Sequence, residues 1–456
     1  MADAIQAIAD WLFRPYIIIL LLGGGLFLSI RTGFVQVRRF GDGLRATMAK
    51  QSKGASGALT PFQSFMTALA ASIGTGNIAG VATAIVSGGP GALFWIWVYG
   101  FLATSIKFSE AVLGITFRVA HGEDVKCGPM YYLRSIVGPR AFGGKSVGPA
   151  LAWTYAAVAG IAALTTTPFT QPNSIGVAMT YVFPSGTVSL PILGAVDRTA
   201  LFAGIAVAVL TWAVIIRGIK SIGRAAEKLA PLKVALYLLG GIIVIVSFAG
   251  QIPHVFKLVV TEAFSIRSGL GFGMFMAMRY GIARGVYANE AGYGTAAVAY
   301  GTAKSNDPSV QGMQAVMEVF IVSFVTATIS ALTILLTGVW HLGPTSTAAV
   351  ASAFNMAIPH VGGYIVAICA FLFGYTTLIG WAYYGEQFLE YILGRNVTMP
   401  YRWIYCLLIP FGAIAKPDVV WAWGDLMNCL QVFPNMIGLV VLSGIVAGFA
   451  YKKTAS

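Results

Sequence analysis

The chain has 456 residues, 57% of them hydrophobic and only 10% charged. A soluble protein of this length carries about a quarter charged residues, so a soluble globular fold is excluded. The net charge of +13 does not point to nucleic acid, because the basic residues sit in alternate loops and not on one segment.

Long apolar runs separated by short charged clusters predict transmembrane helices, each needing roughly 20 residues. Runs this continuous are helical, since a membrane barrel shows short alternating strands. The first span, 12–31, reads as a retained helix: Asp3 and Asp10 stand where a cleaved signal would be basic. Further spans are expected at 60–86, 90–118, 148–183, 198–217, 229–250, 265–300, 311–339, 362–393, 401–416 and 431–450. Turn signals such as Gly88-Gly89-Pro90, Pro184-Ser185-Gly186 and Asp307-Pro308 separate several of them. The fold class is therefore all-α and integral to a membrane, with about eleven spans.

Most of the 29 Lys and Arg residues collect in the loops 31–59, 118–147 and 217–233, with Lys304, Arg395, Arg402, Lys452 and Lys453 on the same side. The basic-rich side is cytoplasmic. This places the N-terminus outside and the C-terminus inside, which demands an odd number of spans. Cys127, Cys369, Cys406 and Cys429 show no paired spacing, so neither a disulfide framework nor a zinc site is expected.

Two spans carry glycine where a membrane helix should be continuous. The second contains Ser72-Ile73-Gly74-Thr75-Gly76-Asn77, and the seventh contains Ser268-Gly269-Leu270-Gly271-Phe272-Gly273. Glycine costs about 1 kcal/mol relative to alanine inside a helix. Clusters of it predict breaks, and unwound backbone at membrane depth is tolerated only when buried in protein or lining a polar cavity. Each break lies in the first helix of a five-helix half, 60–250 and 265–450. An odd number of spans per half makes the halves enter from opposite faces, an inverted repeat with a site where the broken helices meet. Residues 1–59 then form an extra helix and a basic loop, and 451–456 a cytoplasmic tail.

A broken helix exposes carbonyls at one end and N–H groups at the other, poles that attract a cation and an anion. A zwitterionic amino acid plus a sodium ion fits both. The bland reading of 72–77 is a small-residue packing seam, against which Asn77 argues, because an unpaired amide there is costly. Thr376 and Thr377 in the ninth span are hard-oxygen ligands for sodium, or hydroxyls bonded back to their own helix. Gln171, Asn173 and Ser174 either line a pocket or join helices. Lys107 and Glu110 lie one helical turn apart and are placed to pair. Arg279, Arg284 and Glu290 read as an inner gate or as structural ion pairs, and Glu318 and Glu386 as proton carriers or structural groups. No catalytic motif is complete: Pro139 replaces the first glycine of a phosphate loop ending Gly144-Lys145-Ser146.

At several of these stretches the sequence resembles the alanine or glycine:cation symporter family. The resemblance spans about 15–450. It is carried by Gly74-Thr75-Gly76-Asn77-Ile78-Ala79-Gly80, Gly89-Pro90-Gly91-Ala92-Leu93-Phe94-Trp95, Gly128-Pro129-Met130-Tyr131-Tyr132, Arg284-Gly285-Val286-Tyr287-Ala288-Asn289-Glu290-Ala291-Gly292 and Gly380-Trp381-Ala382-Tyr383-Tyr384-Gly385-Glu386. It implies a leucine-transporter-like core of ten helices in a five-plus-five inverted repeat, here with one extra N-terminal helix. It also implies sodium-coupled, sometimes proton-coupled, import of alanine (possibly D-alanine) or glycine across the inner, plasma membrane by a monomer. By that resemblance the substrate touches Ser72, Thr75, Gly76, Asn77, Gln171, Phe272, Gly273 and Met276. Sodium sits between the carbonyls of Ala70 and Ile73 and the hydroxyls of Thr376 and Thr377. Two departures fall in the expected pocket: Pro168 and Pro172 in the fourth span, and a shifted aromatic, Phe272, in the seventh. The competing classes are a glutamine-type or proton-coupled carrier of the same fold, a channel, which would need a continuous polar pore, and a membrane enzyme.

Overall fold

The computed structural model describes residues 16–136, 147–191, 194–266 and 273–452. Among these, seven helices are long and apolar enough to cross a membrane, or nine when each of two sharply bent pairs counts as one span. The protein is an all-α membrane bundle. Helix α1 (Ile18–Arg31) is shorter than those seven and packs on α4 (Ala92–Thr116).

The second span is broken, as its glycines predict. Helix α2 (Pro61–Ser72) starts at a capping box: Thr60 Oγ1 accepts from the Gln63 N–H at 3.1 Å, and Gln63 Oε1 accepts from the Thr60 N–H at 3.2 Å. It ends at Ser72. After a single tight turn at Thr75–Asn77 the chain resumes as α3 (Ala79–Gly88), bent 57° from α2. The fourth span is α5 (Gly148–Thr165) joined to α6 (Thr167–Val182). The fifth is α7 (Arg198–Ile215), capped by Asp197. The sixth is α8 (Ile219–Ser247), which carries Lys233 in its buried interior. That residue therefore does not belong to the basic loop 217–233, where hydropathy places it.

In the seventh span the expected break and Phe272 fall within 267–272, outside the described residues. Helix α9 (Ile252–Phe264), not foreseen, precedes it, and α10 (Met274–Asn289) begins at Gly273. A clear interruption lies further on, at Glu290–Gly294, before α11 (Thr295–Gly301). Glu290, Gly292 and Gly294 have φ of 56°, 93° and 84°, left-handed values that stop a right-handed helix. The remaining elements are α12 (Pro308–Val319), a π-helical stretch at Phe320–Thr326, α13 (Ala327–Thr337), α14 (Ser346–Ala357), α15 (Gly362–Leu393), α16 (Thr398–Ile414), and a last bent pair, α17 (Pro417–Val441) and α18 (Ser443–Tyr451). The final span thus starts well before the expected 431.

The two interrupted helices lie side by side and run in opposite directions. A methyl group at Gly76 would meet Tyr287, one at Gly80 would meet Arg284, and one at Gly88 would meet Tyr280 and the Met276 carbonyl. So α3 packs along α10, and α2 packs along α11. Their breaks are level with each other, at 72–77 and 290–294.

Two small antiparallel hairpins decorate the loops: β1 (Val119–His121) with β2 (Asp124–Lys126), and β3 (Thr187–Leu190) with β4 (Gly194–Asp197). The first gathers basic loops at one end of the bundle. Glu123 accepts from Lys220 and, at 3.1 Å, from Lys304, and Lys126 reaches Glu390 at 2.6 Å. The hydrogen bonds from Lys220 and Lys304 hold the Glu123 carboxyl below the usual carboxylate range. Arg402 grips Glu386 with two bonds of 2.8 and 3.0 Å, so Glu386 is committed to a structural ion pair.

Lys107 and Glu110 do not pair with each other. Lys107 turns to Glu318. Glu110 Oε1 accepts from the N–H groups of Gly292 (2.9 Å) and Gly294 (3.0 Å) and from the Asn435 side chain (2.8 Å). A fully buried carboxylate thus caps the N–H pole of the second break. Glu110→Ala should strand these donors at about 1–3 kcal/mol each, whereas Glu110→Gln keeps an acceptor and should lose much less. Thermal unfolding in detergent measures both, and equal losses would show that the acceptor oxygen does not hold the break.

Candidate functional site

The last carbonyls of α2 have lost their helical partners, and each finds another. Ala71 O accepts from Thr377 Oγ1 at 2.8 Å. Ser72 O accepts from the Gly74 N–H and from Asn77 Nδ2, both at 2.9 Å. Ala70 O accepts from Thr376 Oγ1 at 3.0 Å and Thr377 Oγ1 at 3.3 Å. Ala70 O and Ile73 O also accept from Lys233 Nζ, at 2.9 and 2.6 Å. The same ammonium donates to Thr376 Oγ1. Its three N–H donors therefore meet three oxygens, which saturates the group.

The expected sodium ligands are thus brought together at one point by α2 and α15, and the Lys233 ammonium from α8 stands at that point. A sodium ion about 4 Å from the ammonium would be repelled by roughly 4 kcal/mol at an effective dielectric of about 20. Sequence reasoning missed Lys233 because it treated the residue as the edge of a basic loop. The available signal was its place two residues after Pro231, inside a continuous apolar run.

On its other side the break lines a small cavity. Its walls are Ala71, Ser72, Gly74 and Gly76, with Gln171 from α6, Thr377 and Trp381 from α15, and Tyr287, Glu290 and Tyr293 around the second break. Gln171 Oε1 accepts from the Thr75 N–H (3.0 Å) and from Thr75 Oγ1 (2.9 Å), so α6 clamps the turn that restarts the helix. Glu290 accepts from Trp381 Nε1 at 2.6 Å and from Thr295 Oγ1 at 3.0 Å, which presents its carboxylate to the cavity. The glycines are needed for close approach: a Cβ on Gly74 would lie 2.6 Å from Thr377 Oγ1, and one on Gly76 would lie 2.6 Å from Tyr287 Cδ1.

Of the predicted substrate residues, Ser72, Gly76 and Gln171 line this cavity. Thr75 is fully buried behind it, held by Gln171. Asn77 is not among the lining residues. Its amide staples the break, donating to Ser72 O and accepting from Thr326 Oγ1 at 3.1 Å. Gly273 and Met276 do not line the cavity either, Met276 lying against Gly88 at the far end of α3. The Ser72 hydroxyl belongs to a buried cluster, receiving Lys107 at 2.8 Å and donating to Glu318, which also accepts from Tyr300 at 2.9 Å. Asn173 bonds across to the Ala415 carbonyl at 2.7 Å and Ser174 back to Thr170, so both join helices or turns. Arg284 pairs with Asp425 of α17, not with Glu290. Sequence reasoning also missed Glu290, Tyr293 and Trp381 as cavity walls. The signal for the first two was Glu290-Ala291-Gly292-Tyr293-Gly294, a charge and spaced glycines inside an apolar span.

A cavity with polar walls at a broken helix in a membrane bundle is the arrangement of a secondary carrier. The model of the Sodium:alanine symporter family matches residues 1–454, and the chain belongs to that family. It is similar to the sodium/alanine symporter AgcS of Methanococcus maripaludis, 36% identical over 448 residues that cover 97% of this chain and 95% of that protein. It is 32% identical over 441 residues to the probable sodium/glutamine symporter GlnT of Bacillus subtilis, covering 96% of this chain and 87% of that one. Among solved structures, the Eremococcus coleocola manganese transporter superposes with a TM-score of 0.55 at 13% identity, over 88% of this chain and 89% of that chain, a likeness of fold alone. The protein is an amino-acid:cation symporter and not an enzyme.

Gly76→Ala should lower substrate affinity by at least roughly tenfold, since the added methyl must displace Tyr287 or the turn, while overpacking costs about 1–3 kcal/mol of stability. Equilibrium binding of labelled alanine to folded, purified protein decides it. Unchanged affinity would place the substrate elsewhere.

Proposed function

We propose that the protein imports a small neutral amino acid, alanine or glycine, together with a cation, and that the amino acid sits in the cavity between the two breaks. The observation that carries this reading is the meeting of hydrogen-bond donors and a carboxylate around one cavity. The Gly76 backbone and the Gln171 side-chain NH2 are the donors on the wall suited to the substrate carboxylate. The Glu290 carboxylate and the carbonyl end of α2 suit its ammonium group. Tyr287, Tyr293 and Trp381 close the space around the side chain, which favours hydrogen or methyl over a longer group.

Family membership suggests sodium as the companion ion. The halves 60–250 and 265–450 are read as inverted repeats that rock about the site, in a monomer of the plasma membrane with the basic loops, gathered at one end by the β1–β2 hairpin, on the cytoplasmic side.

Counterflow of labelled alanine and glycine in proteoliposomes tests the reading, with saturable exchange as the expected result. Gln171→Glu keeps an acceptor for Thr75 but sets a negative charge beside the substrate carboxylate. It should weaken alanine binding by at least roughly tenfold with little loss of thermal stability. Full affinity in this variant would move the carboxylate site away from α6.

A further inference from the structure

We propose that the cavity carries a hydroxyl subsite, built from Thr167 and Asn428, and that serine is therefore a substrate alongside alanine. The inference rests on the reading of this cavity as the amino-acid site and concerns only the substrate's side chain.

Asn428 stands on α17, ahead of residue 431, where hydropathy starts the last span. Trp421, Asp425, Asn428 and Asn435 recur at helical spacing along one stripe of that helix. The stripe faces the second interrupted helix. Trp421 packs on Tyr287 with ring centroids 5.0 Å apart, and Asp425 pairs with Arg284. Asn435 Nδ2 donates to Glu110 Oε1 and to the Gly292 carbonyl, both at 2.8 Å. Of these four, Asn428 is the one that lines the cavity. It is 4% exposed, and its Oδ1 accepts from Gln431 Nε2 at 3.0 Å. Gln431 is itself fully buried, and this is its one side-chain hydrogen bond among the described residues, so it holds the Asn428 amide in place. The other end of that amide, Nδ2, meets no partner among the described residues.

Thr167 reaches the same cavity from α6. Pro168 lacks the N–H that would bond the Leu164 carbonyl, so α5 stops at Thr165 and α6 restarts at Thr167. The neighbouring hydroxyls are spent on their own helix: Thr166 Oγ1 donates to Ala162 O at 2.8 Å, and Thr170 Oγ1 to Thr166 O at 3.1 Å. Thr167 Oγ1 has no such bond, and the residue is only 4% exposed.

Unpartnered polar groups on the wall of a buried cavity are costly unless its occupant bonds them. A hydroxyl matches both. It accepts from Asn428 Nδ2 and donates to Thr167 Oγ1. Turning both amides over keeps the bond between Asn428 and Gln431 and frees Oδ1 in place of Nδ2. A hydroxyl then donates to Oδ1 and accepts from Thr167. A methyl group answers neither arrangement. Tyr287, Tyr293 and Trp381 limit the length of the side chain, and hydroxymethyl exceeds methyl by a single oxygen. Thr167 and Asn428 set the polarity at that position. A site built to bond a hydroxyl rejects an analogue lacking it far more strongly than an apolar pocket rejects one methylene, because its own polar groups stay unpaired.

The test is competition against labelled alanine on purified protein by L-serine and L-α-aminobutyrate, which differ only in hydroxyl for methyl. In the unaltered protein serine should bind at least about tenfold more tightly than aminobutyrate. Asn428→Leu, of similar volume, should shrink that ratio by at least about tenfold. Thr167→Val keeps the shape, removes the hydroxyl and should shrink it by at least about threefold. The ratio is read within each variant, so a general loss of affinity does not disguise it, and Thr167→Val carries the test if Asn428→Leu fails to fold. In proteoliposomes, external labelled serine should exchange saturably for internal alanine. Serine no tighter than aminobutyrate, an unchanged ratio in either folded variant, or no serine–alanine exchange overturns the proposal while leaving the alanine site standing. Failure of both alanine and glycine to bind the unaltered protein overturns the site itself and this inference with it.

Discussion

The structure depends on one constraint: backbone groups released by a broken helix inside a membrane must find partners within the protein. At the first break the freed carbonyls of residues 70–73 are met by the Thr376 and Thr377 hydroxyls, the Asn77 amide and the Lys233 ammonium. At the second, freed N–H groups of Gly292 and Gly294 are met by the Glu110 carboxylate. The two solutions are electrostatic mirror images. A cation caps a helix C-terminus, an anion caps a helix N-terminus, and both are buried.

Placing these breaks level with each other sets up the site. The half-helices α2 and α3 lie along α11 and α10, so each interruption opens toward the other. The space has Ser72, Gly74, Gly76 and Gln171 among its walls on one side and Tyr287, Tyr293 and Trp381 on the other. The same short segment that walls the cavity also presents carbonyls to the cation position. An event at either face is therefore felt at the other through a few residues of backbone, without a long relay. The buried cluster of Lys107, Glu318, Ser72 and Tyr300 also anchors the end of α2.

Much of this was legible before any coordinates. The membrane class followed from apolar run length, and the break at 72–77 from glycines where a helix should continue. Gln171 was legible as a polar group in an apolar span, although its grip on Thr75 was not. The second break was sought at 268–273, where glycines are densest. The left-handed residues Glu290, Gly292 and Gly294 interrupt the chain about twenty residues later. The expected break at 268–273 lies outside the described residues, and the interruption at 290–294 was missed because it is fixed by an acceptor from a distant span, Glu110. Pairing of Lys107 with Glu110 failed for a related reason: helical spacing proposes neighbours, but each side chain had a better buried partner across the bundle.

By itself the sequence determined the solvent in which the chain folds and the presence of a broken helix with polar groups around it. Those properties are sums over local composition, and hydropathy and glycine placement carry them. Only the tertiary structure decided which charges meet, since burial without water forces every donor to choose among partners far apart in sequence. That choice put Lys233, read locally as a loop residue, among the oxygens of Ala70, Ile73 and Thr376.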